Sequence, residues 1–416
     1  MTDRPGELPS SSPHKQLLER AAELARRYGR DPGFSRGGGG NVSVKADGVL
    51  YIKPSGVSLA SLSAADLMAL NMEPLAGLLA ADPAGKVGAG GGSDAVMSVA
   101  MGARLRQAGE QRPSVEVLFH ALIPRRFVLH THPTIVNAVT CASEGPRIAA
   151  GLFGDTIVWV PYVDPGLPLA RAIANARHVF EESTGRPVPD VLLLQNHGLI
   201  VAADEASAIS AASGTVVTAI RARLADLQRH AGDRAADRAA AAPPSGPQGP
   251  VIAEAVEDAL RASFSSKSQP RVVLFDASPD AVRAATADFG RSFALDGPIT
   301  PDQIVYAGSW PLWLEVPPTQ DLRRIAAGTE AALGRHLEAH GGLPTIVVVA
   351  GLGLFAVGAT LGEAATARDV YLDAIRIGSN AALLGGVRVL APQERRFIEE
   401  WEAEAYRRGV AAAAKS

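Results

Sequence analysis

The run Phe127-Val128-Leu129-His130-Thr131-His132-Pro133 constrains this chain more than any other segment. It is apolar and strand-like, carries histidines at alternate positions, and is closed by a proline. A strand sends residues i and i+2 to one face, so both imidazoles point the same way, with their bases roughly 7 Å apart. A third histidine lies in Gln195-Asn196-His197-Gly198, where the apolar run Val191-Leu192-Leu193-Leu194 breaks at a polar triplet before Leu199-Ile200-Val201-Ala202 resumes. Three histidines on strands or strand ends can hold zinc or another divalent ion and leave one coordination position open for substrate.

The segment before the histidine strand adds a carboxylate. Residues 114–122 read as a helix with Ser114 as N-cap after Pro113, and Glu116 sits in the first turn, where the helix dipole favours a negative charge. An ordinary helix-start carboxylate and an acid/base beside a metal both fit that position. His120, one turn later, reads as a packing or supporting residue. The glycines Gly37 to Gly40, followed by Asn41 and Ser43, form either an anion-binding nest or a plain turn. No Lys-Ser or Lys-Thr follows them, which excludes a P-loop, and Gly358 is too far from Gly351-Leu352-Gly353 for a dinucleotide fingerprint.

A chain of 416 residues with 47% hydrophobic and 20% charged residues can bury a large core and is expected to form two domains. Its net charge of -3, without a basic block, gives no reason to expect nucleic acid. The lone Cys141 cannot form an intrachain disulfide. No apolar run reaches the ~20 residues of a membrane span. Residues 1–14 read as a disordered leader without signal-peptide order, so the expected location is cytoplasmic.

Periodicity predicts helices over 15–28, 61–70, 169–180, 204–230, 279–288, 322–340, 362–375 and 392–411. It predicts strands at 41–45, 50–53, 156–161, 271–276 and 344–350. Four glycines in 87–93 suggest a mobile loop, and the Pro- and Gly-rich stretch 233–250 reads as a linker between domains at 15–232 and 251–416. His336 and His340 are expected on a solvated helix face. The phrase Val349-Ala350-Gly351-Leu352-Gly353 echoes Leu194-Gln195-Asn196-His197-Gly198, with Leu352 where His197 sits. The second domain would then be a degenerate relative of the first that shapes oligomerisation or closes over substrate.

Gly39-Gly40-Asn41-Val42-Ser43-Val44-Lys45, Lys53-Pro54-Ser55-Gly56, Pro113-Ser114-Val115-Glu116, His130-Thr131-His132-Pro133 and Asn196-His197-Gly198-Leu199 occur in one order. The ordered set, over residues 15–230, resembles the class II aldolase/adducin family. Trp159-Val160-Pro161-Tyr162, Pro298-Ile299-Thr300-Pro301-Asp302 and Gly351-Leu352-Gly353-Leu354-Phe355 further resemble the aldolase portion of bifunctional rhamnulose-1-phosphate aldolase/short-chain dehydrogenase proteins. Two positions depart from those patterns. Val115 stands where sugar-phosphate aldolases often have a second serine, and Gln303 where the fusion proteins commonly have histidine.

The resemblance implies a three-layer α/β/α sandwich around a largely antiparallel sheet, with a second, smaller α/β domain, assembled as a homo-oligomer, in most relatives a tetramer. It implies one divalent metal ion per chain, zinc with manganese or cobalt as alternatives, held by His130, His132 and His197. Glu116 matches the catalytic acid/base, and Asn41, Ser55, Gly56 and Ser114 match positions holding the substrate's distal end. Tyr162 is the motif-linked candidate for a second acid. The expected activity is aldol cleavage of a ketose, ketose phosphate or hydroxy keto acid through a metal-stabilised enediolate. Epimerisation or decarboxylation by the same chemistry, or a non-catalytic adducin-like binding role, are the alternatives.

Overall fold

The computed structural model describes residues 13–80, 91–105, 111–235, 249–264, 270–286, 288–316 and 321–401. These fall into two compact units. One takes the described residues of Met1–Thr140, Glu144–Arg223 and Glu400–Ala411, the other those of Cys141–Ser143, Leu224–Glu399 and Ala412–Ser416.

The first unit is built on strands β1 (Asn41–Ala46), β2 (Val49–Ile52), β3 (Met68–Asn71), β4 (Phe127–Thr131), β5 (Val158–Val160), β6 (Val191–Leu194) and β7 (Gly198–Ala203). They form one sheet in the order β3-β2-β1-β4-β7-β6-β5. Every neighbouring pair is antiparallel except β5 and β6, which the helix Leu167–Thr184 connects as a parallel pair requires. The expected α/β fold with a largely antiparallel sheet is what forms.

Strand alternation divides the core between two faces. On one, Leu50, Ile52, Val128, Ile200 and Ala202 pack with Val117, Leu118 and Phe119 of the helix Val117–Leu122 and with Ile173 of the helix Leu167–Thr184. On the other, Val42 and Val44 lie beneath the helix Pro13–Gly29, whose Leu18, Ala21 and Ala25 are buried. Each such aliphatic side chain removed from water contributes about 1.5–3 kcal/mol before entropy is counted. His130 shares the face of Val128, so its imidazole enters the first of these layers.

The predicted helix over 61–70 does not form. Its residues instead make short turns Leu59–Ser61 and Ala64–Asp66 and then strand β3. The Ser63 backbone N–H and hydroxyl both bind the Asp66 carboxylate at 2.8 and 2.7 Å, which restarts the chain after an extended Leu62, and Leu67 is extended again. A local serine–aspartate contact competes successfully with the helix ladder there. The mobile loop expected at 87–93 lies outside the described residues up to 90, and Gly91 opens the helix Gly91–Gly102. Residues 1–12 of the leader and 236–248 of the linker lie outside the described residues, as do 402–411 of the last predicted helix.

The second unit contains β8 (Val272–Asp276), β9 (Leu312–Leu314), β10 (Ile346–Val349) and β11 (Gly353–Gly358), in the order β8-β11-β10-β9. Only β9 and β10 are parallel. One face of this sheet packs on the helix Leu361–Leu383 through Leu354, Ala356, Val370 and Tyr371. The other packs through Val347, Val349 and Phe355 on the helices Gly249–Phe264 and Leu322–His340. His336 is not on a solvated face. It is 8% exposed, and its two ring nitrogens lie 3.0 Å from the carbonyl oxygens of Gly342 and Trp310, because the helix turns that side onto the loop at Trp310. His340 is exposed and stacks on Trp310. No helix among the described residues is long and apolar enough to cross a membrane.

Lys45 offers a pH handle on the first unit. Its ammonium donates to the carbonyl oxygens of Ile123 and Arg125 at 2.7 and 2.8 Å, and burial, opposed by Asp204, lowers its pKa to about 7 from 10.5. Between those two values the unfolded chain binds more protons than the folded one, so stability rises with pH across that interval. Chemical denaturation at pH 7 and pH 10 is expected to show this rise in wild type and a flatter profile in Lys45→Met.

Candidate metal centre

The sheet register brings the site together. Asn41 pairs with His130 across β1 and β4, and Thr131 pairs with Leu199 across β4 and β7, so His132 and His197 both emerge at the same end of neighbouring strands. Gly198 permits this approach. A Cβ there would lie 2.4 Å from the Thr131 carbonyl oxygen and 2.9 Å from His132 Cδ2. Asn196, fully buried at a φ of 52°, makes the turn that aims His197 inward.

His130 Nδ1 faces the Leu199 carbonyl at 3.0 Å, which fixes its proton there and leaves Nε2 as a lone pair. That Nε2 lies 3.0 Å from His132 Nε2 and 3.3 Å from His197 Nε2. Nitrogens bound tetrahedrally to one ion at 2.0–2.1 Å stand about 3.3 Å apart, so the spacing fits a single first-row divalent cation. The ligand atoms of all three histidines lie within 4.8 Å of one another. Burial pushes the His130 pKa down to about 3 from 6.5, which keeps the imidazole neutral and able to bind metal at pH 7.

Glu116 stands beside this cluster, with Oε1 3.2 Å from His197 Nε2 and 3.6 Å from His130 Nε2. Its other oxygen accepts the Asn41 side-chain amide at 2.5 Å, and its backbone N–H donates to Ser114 Oγ at 3.2 Å. Burial alone would raise this carboxyl, but the neighbouring His130, His197 and His132 offset it and hold it well below the ordinary carboxylate range. The expected helix begins one residue after Glu116, which takes the N-cap position.

A bridge between Pro54 and Pro113, with the Ser55 N–H on the Arg112 carbonyl at 2.9 Å, brings Ser55 and Gly56 alongside Ser114. The structure thus gathers Asn41, Ser55, Gly56, Ser114 and Glu116 on adjoining strand ends and loops. It places the Asn41 amide on the Glu116 carboxylate. Tyr162 follows β5, and its backbone N–H donates to Gln195 Oε1 at 3.1 Å, next to the turn that carries His197. Gln303 belongs to the second unit, where its side-chain oxygen accepts the Ile299 N–H at 3.0 Å. In the glycine loop, the Gly39 N–H is bound to the Arg36 carbonyl, and Gly40 packs against the His130 carbonyl, where a Cβ would come within 2.8 Å.

Two contacts support the site, the first not visible in the sequence and the second made by His120, which the sequence reads as a packing or supporting residue. Asn137 Nδ2 donates to the His197 carbonyl at 3.3 Å while its Oδ1 accepts the Thr140 hydroxyl at 2.9 Å, a pairing that no local pattern announces. His120, fully buried, meets Ser43 Oγ at 2.8 Å and stacks on Phe119, whose ring meets the edge of His130.

Residues 19–224 match the family model described as the class II aldolase and adducin N-terminal domain, and residues 335–407 match the class II aldolase second domain. Among curated proteins, the chain is similar to "Uncharacterized oxidoreductase YuxG" of Bacillus subtilis (strain 168), 24% identical over 424 residues, covering 94% of this chain. The chain spans 58% of that relative's length. Among solved structures, it is similar to the N-terminal class II aldolase domain of a conserved protein from Thermoplasma acidophilum. That match has 24% identity and a TM-score of 0.43, and covers 54% of this chain and 99% of the other. It is also similar to l-fuculose-1-phosphate aldolase from Thermus thermophilus, with 17% identity and a TM-score of 0.34, covering 52% of this chain and 96% of the other.

Proposed function

Since this chain belongs to the class II aldolase and adducin family, we propose that it is a divalent-metal-dependent aldolase, a lyase that reversibly cleaves a carbon–carbon bond of a β-hydroxy carbonyl substrate. The observation that carries this reading is the carboxylate of Glu116 set beside, and not among, three imidazoles whose Nε2 atoms converge. His130, His132 and His197 would hold the ion. When bound, it supplies Lewis acidity toward the substrate's carbonyl oxygen.

The chain's own residues do the rest. Asn41 occupies Glu116 Oε2 and so leaves Oε1, on the histidine side, as the atom that takes and returns the proton on the enediolate carbon. A carboxylate kept ionised in a buried site is ready as a base without prior proton loss. Ser55, Gly56 and Ser114 are assigned to the distal end of the substrate, and Tyr162 to the proton on the aldehyde oxygen. His132 is the least buried member of the triad, which makes its side the approach for substrate. We assign zinc to the site, with manganese or cobalt as substitutes, and place the enzyme in the cytoplasm as a homo-oligomer, a tetramer by family resemblance.

The test is product identity. Purified protein incubated with ketoses, ketose phosphates and hydroxy keto acids is expected to release an aldehyde from at least one class. Epimer formation or CO2 release without aldehyde would replace the lyase reading with the family's other enediolate reactions. A protein that binds no metal and turns over none of them would point to an adducin-like binding role.

A further inference from the structure

The second unit follows the first element by element. Strand β4 is followed by the helices Thr134–Thr140 and Gly145–Phe153, β5, the helix Leu167–Thr184, β6, β7 and the helix Ala206–Ala235. Strand β8 is followed by the helices Pro279–Thr286 and Asp288–Asp296, β9, the helix Leu322–His340, β10, β11 and the helix Leu361–Leu383. The strand orders β4-β7-β6-β5 and β8-β11-β10-β9 match, with the parallel pair at the same end.

Hydrogen bonds fix the register to the residue. Leu194 pairs with Gly198 to close one hairpin, and Val349 with Gly353 to close the other. The middle turn residues Asn196 and Gly351 have φ of 52° and 75°. The Gln195 N–H reaches the Val160 carbonyl at 3.0 Å, and the Ala350 N–H reaches that of Leu314 at 2.9 Å. A Cβ at Gly198 would meet the Thr131 carbonyl at 2.4 Å, and one at Gly353 would meet that of Asp276 at 2.4 Å. Leu199 pairs with Thr131 and Leu354 with Asp276. By this register Phe275 stands for His130, Ala277 for His132 and Leu352 for His197.

The three substitutes have no metal-binding atom, yet they line a cavity of about 490 Å³. Ala253, Glu254 and Glu257 close it from the helix Gly249–Phe264. That helix precedes β8 and packs on the helix Leu322–His340, as the helix behind Glu116 precedes β4 and packs on the helix Leu167–Thr184. The volume is that of a small-molecule site. Among the described residues its charged lining is acidic, with Glu257 already paired to Arg261 at 2.5 Å, so an anion such as a sugar phosphate is disfavoured.

We propose that the second domain is a copy of the first in which the metal centre has become an apolar pocket. It takes an uncharged, largely apolar small molecule with a hydrogen-bond-donating end turned to Glu254. Among the described residues, the cluster that could hold a metal lies in the first domain.

The intact protein titrated with the neutral fluorophore 1-N-phenylnaphthylamine is expected to show about one saturable apolar site per chain. The anionic 8-anilinonaphthalene-1-sulfonate should bind at least about tenfold more weakly. Ala277 is exposed at the mouth, so Ala277→Trp should block the site and weaken the neutral probe about tenfold while metal content is unchanged. Glu254 is also exposed, and Glu254→Lys, which leaves the core untouched, should narrow or reverse the preference between the two probes. No saturable binding of the neutral probe to wild type would overturn the proposal. So would binding that neither substitution alters. The readout needs no turnover, so its failure is separate from failure of the lyase reading.

Discussion

Replacing Glu116 by glutamine is expected to lower turnover about 10²–10⁴-fold, the range spanned by positioned general acid–base groups, while the protein keeps its metal. The substitution is close to isosteric, and the amide oxygen can still accept the Asn41 side-chain amide that now binds Oε2 at 2.5 Å. The glutamine cannot take a proton at the position of Oε1, 3.2 Å from His197 Nε2. The expected pattern is a metal-replete enzyme with a low kcat and a KM near the wild-type value. A variant that turned over normally would show that the proton moves through another group, with Tyr162 the next to test.

The His132→Ala variant is expected to fall furthest. Three nitrogens that converge at 3.0 and 3.3 Å leave an ion with two protein ligands when one is removed. Loss of a supporting contact around a metal ligand already costs about 10–100-fold in affinity, and loss of the ligand itself should exceed that. Metal content per chain should drop from about one to a small fraction after gel filtration, with activity dropping in step. His132 lies past the last residue of β4 and is only partly buried, so its truncation opens a wet gap and leaves the sheet intact. Elemental analysis beside circular dichroism separates metal loss from unfolding. Full metal content in a folded His132→Ala protein would remove this histidine from the ligand set.

Much of this site was legible because its residues interrupt strong periodic signals. His130 lies in a buried strand with His132 two residues on, just past its end, and His197 follows a four-residue apolar run, so local pattern alone put imidazoles at strand ends. Glu116 was readable from a helix start. What linear pattern could not show is the contact of Asn41 with Glu116, 75 residues apart, since that depends on the register of β1 against β4. The predicted helix over 61–70 failed for a local reason, a Ser63–Asp66 contact that outcompetes the ladder. The buried position of His336 was missed because its two carbonyl partners come from separate loops. In the second unit, one echoed hairpin was visible in sequence. The strand at β8 was predicted, but its correspondence to β4 was not visible, since Phe275 shares no chemistry with His130 at the same register, and β9 was not predicted.

Two of the three metal-ligand candidates lie outside the strands, His132 just beyond β4 and His197 in the turn before β7. Neither residue is paired in the sheet ladder: the backbone N–H of His132 donates to the Phe34 carbonyl and that of His197 to the Leu194 carbonyl. A lineage can change the reactivity of such a site one side chain at a time without revisiting how the scaffold folds. The same independence suits laboratory evolution: libraries confined to positions 132 and 197 would sample new donor sets, carboxylates or thiolates among them, on a framework whose assembly is set elsewhere.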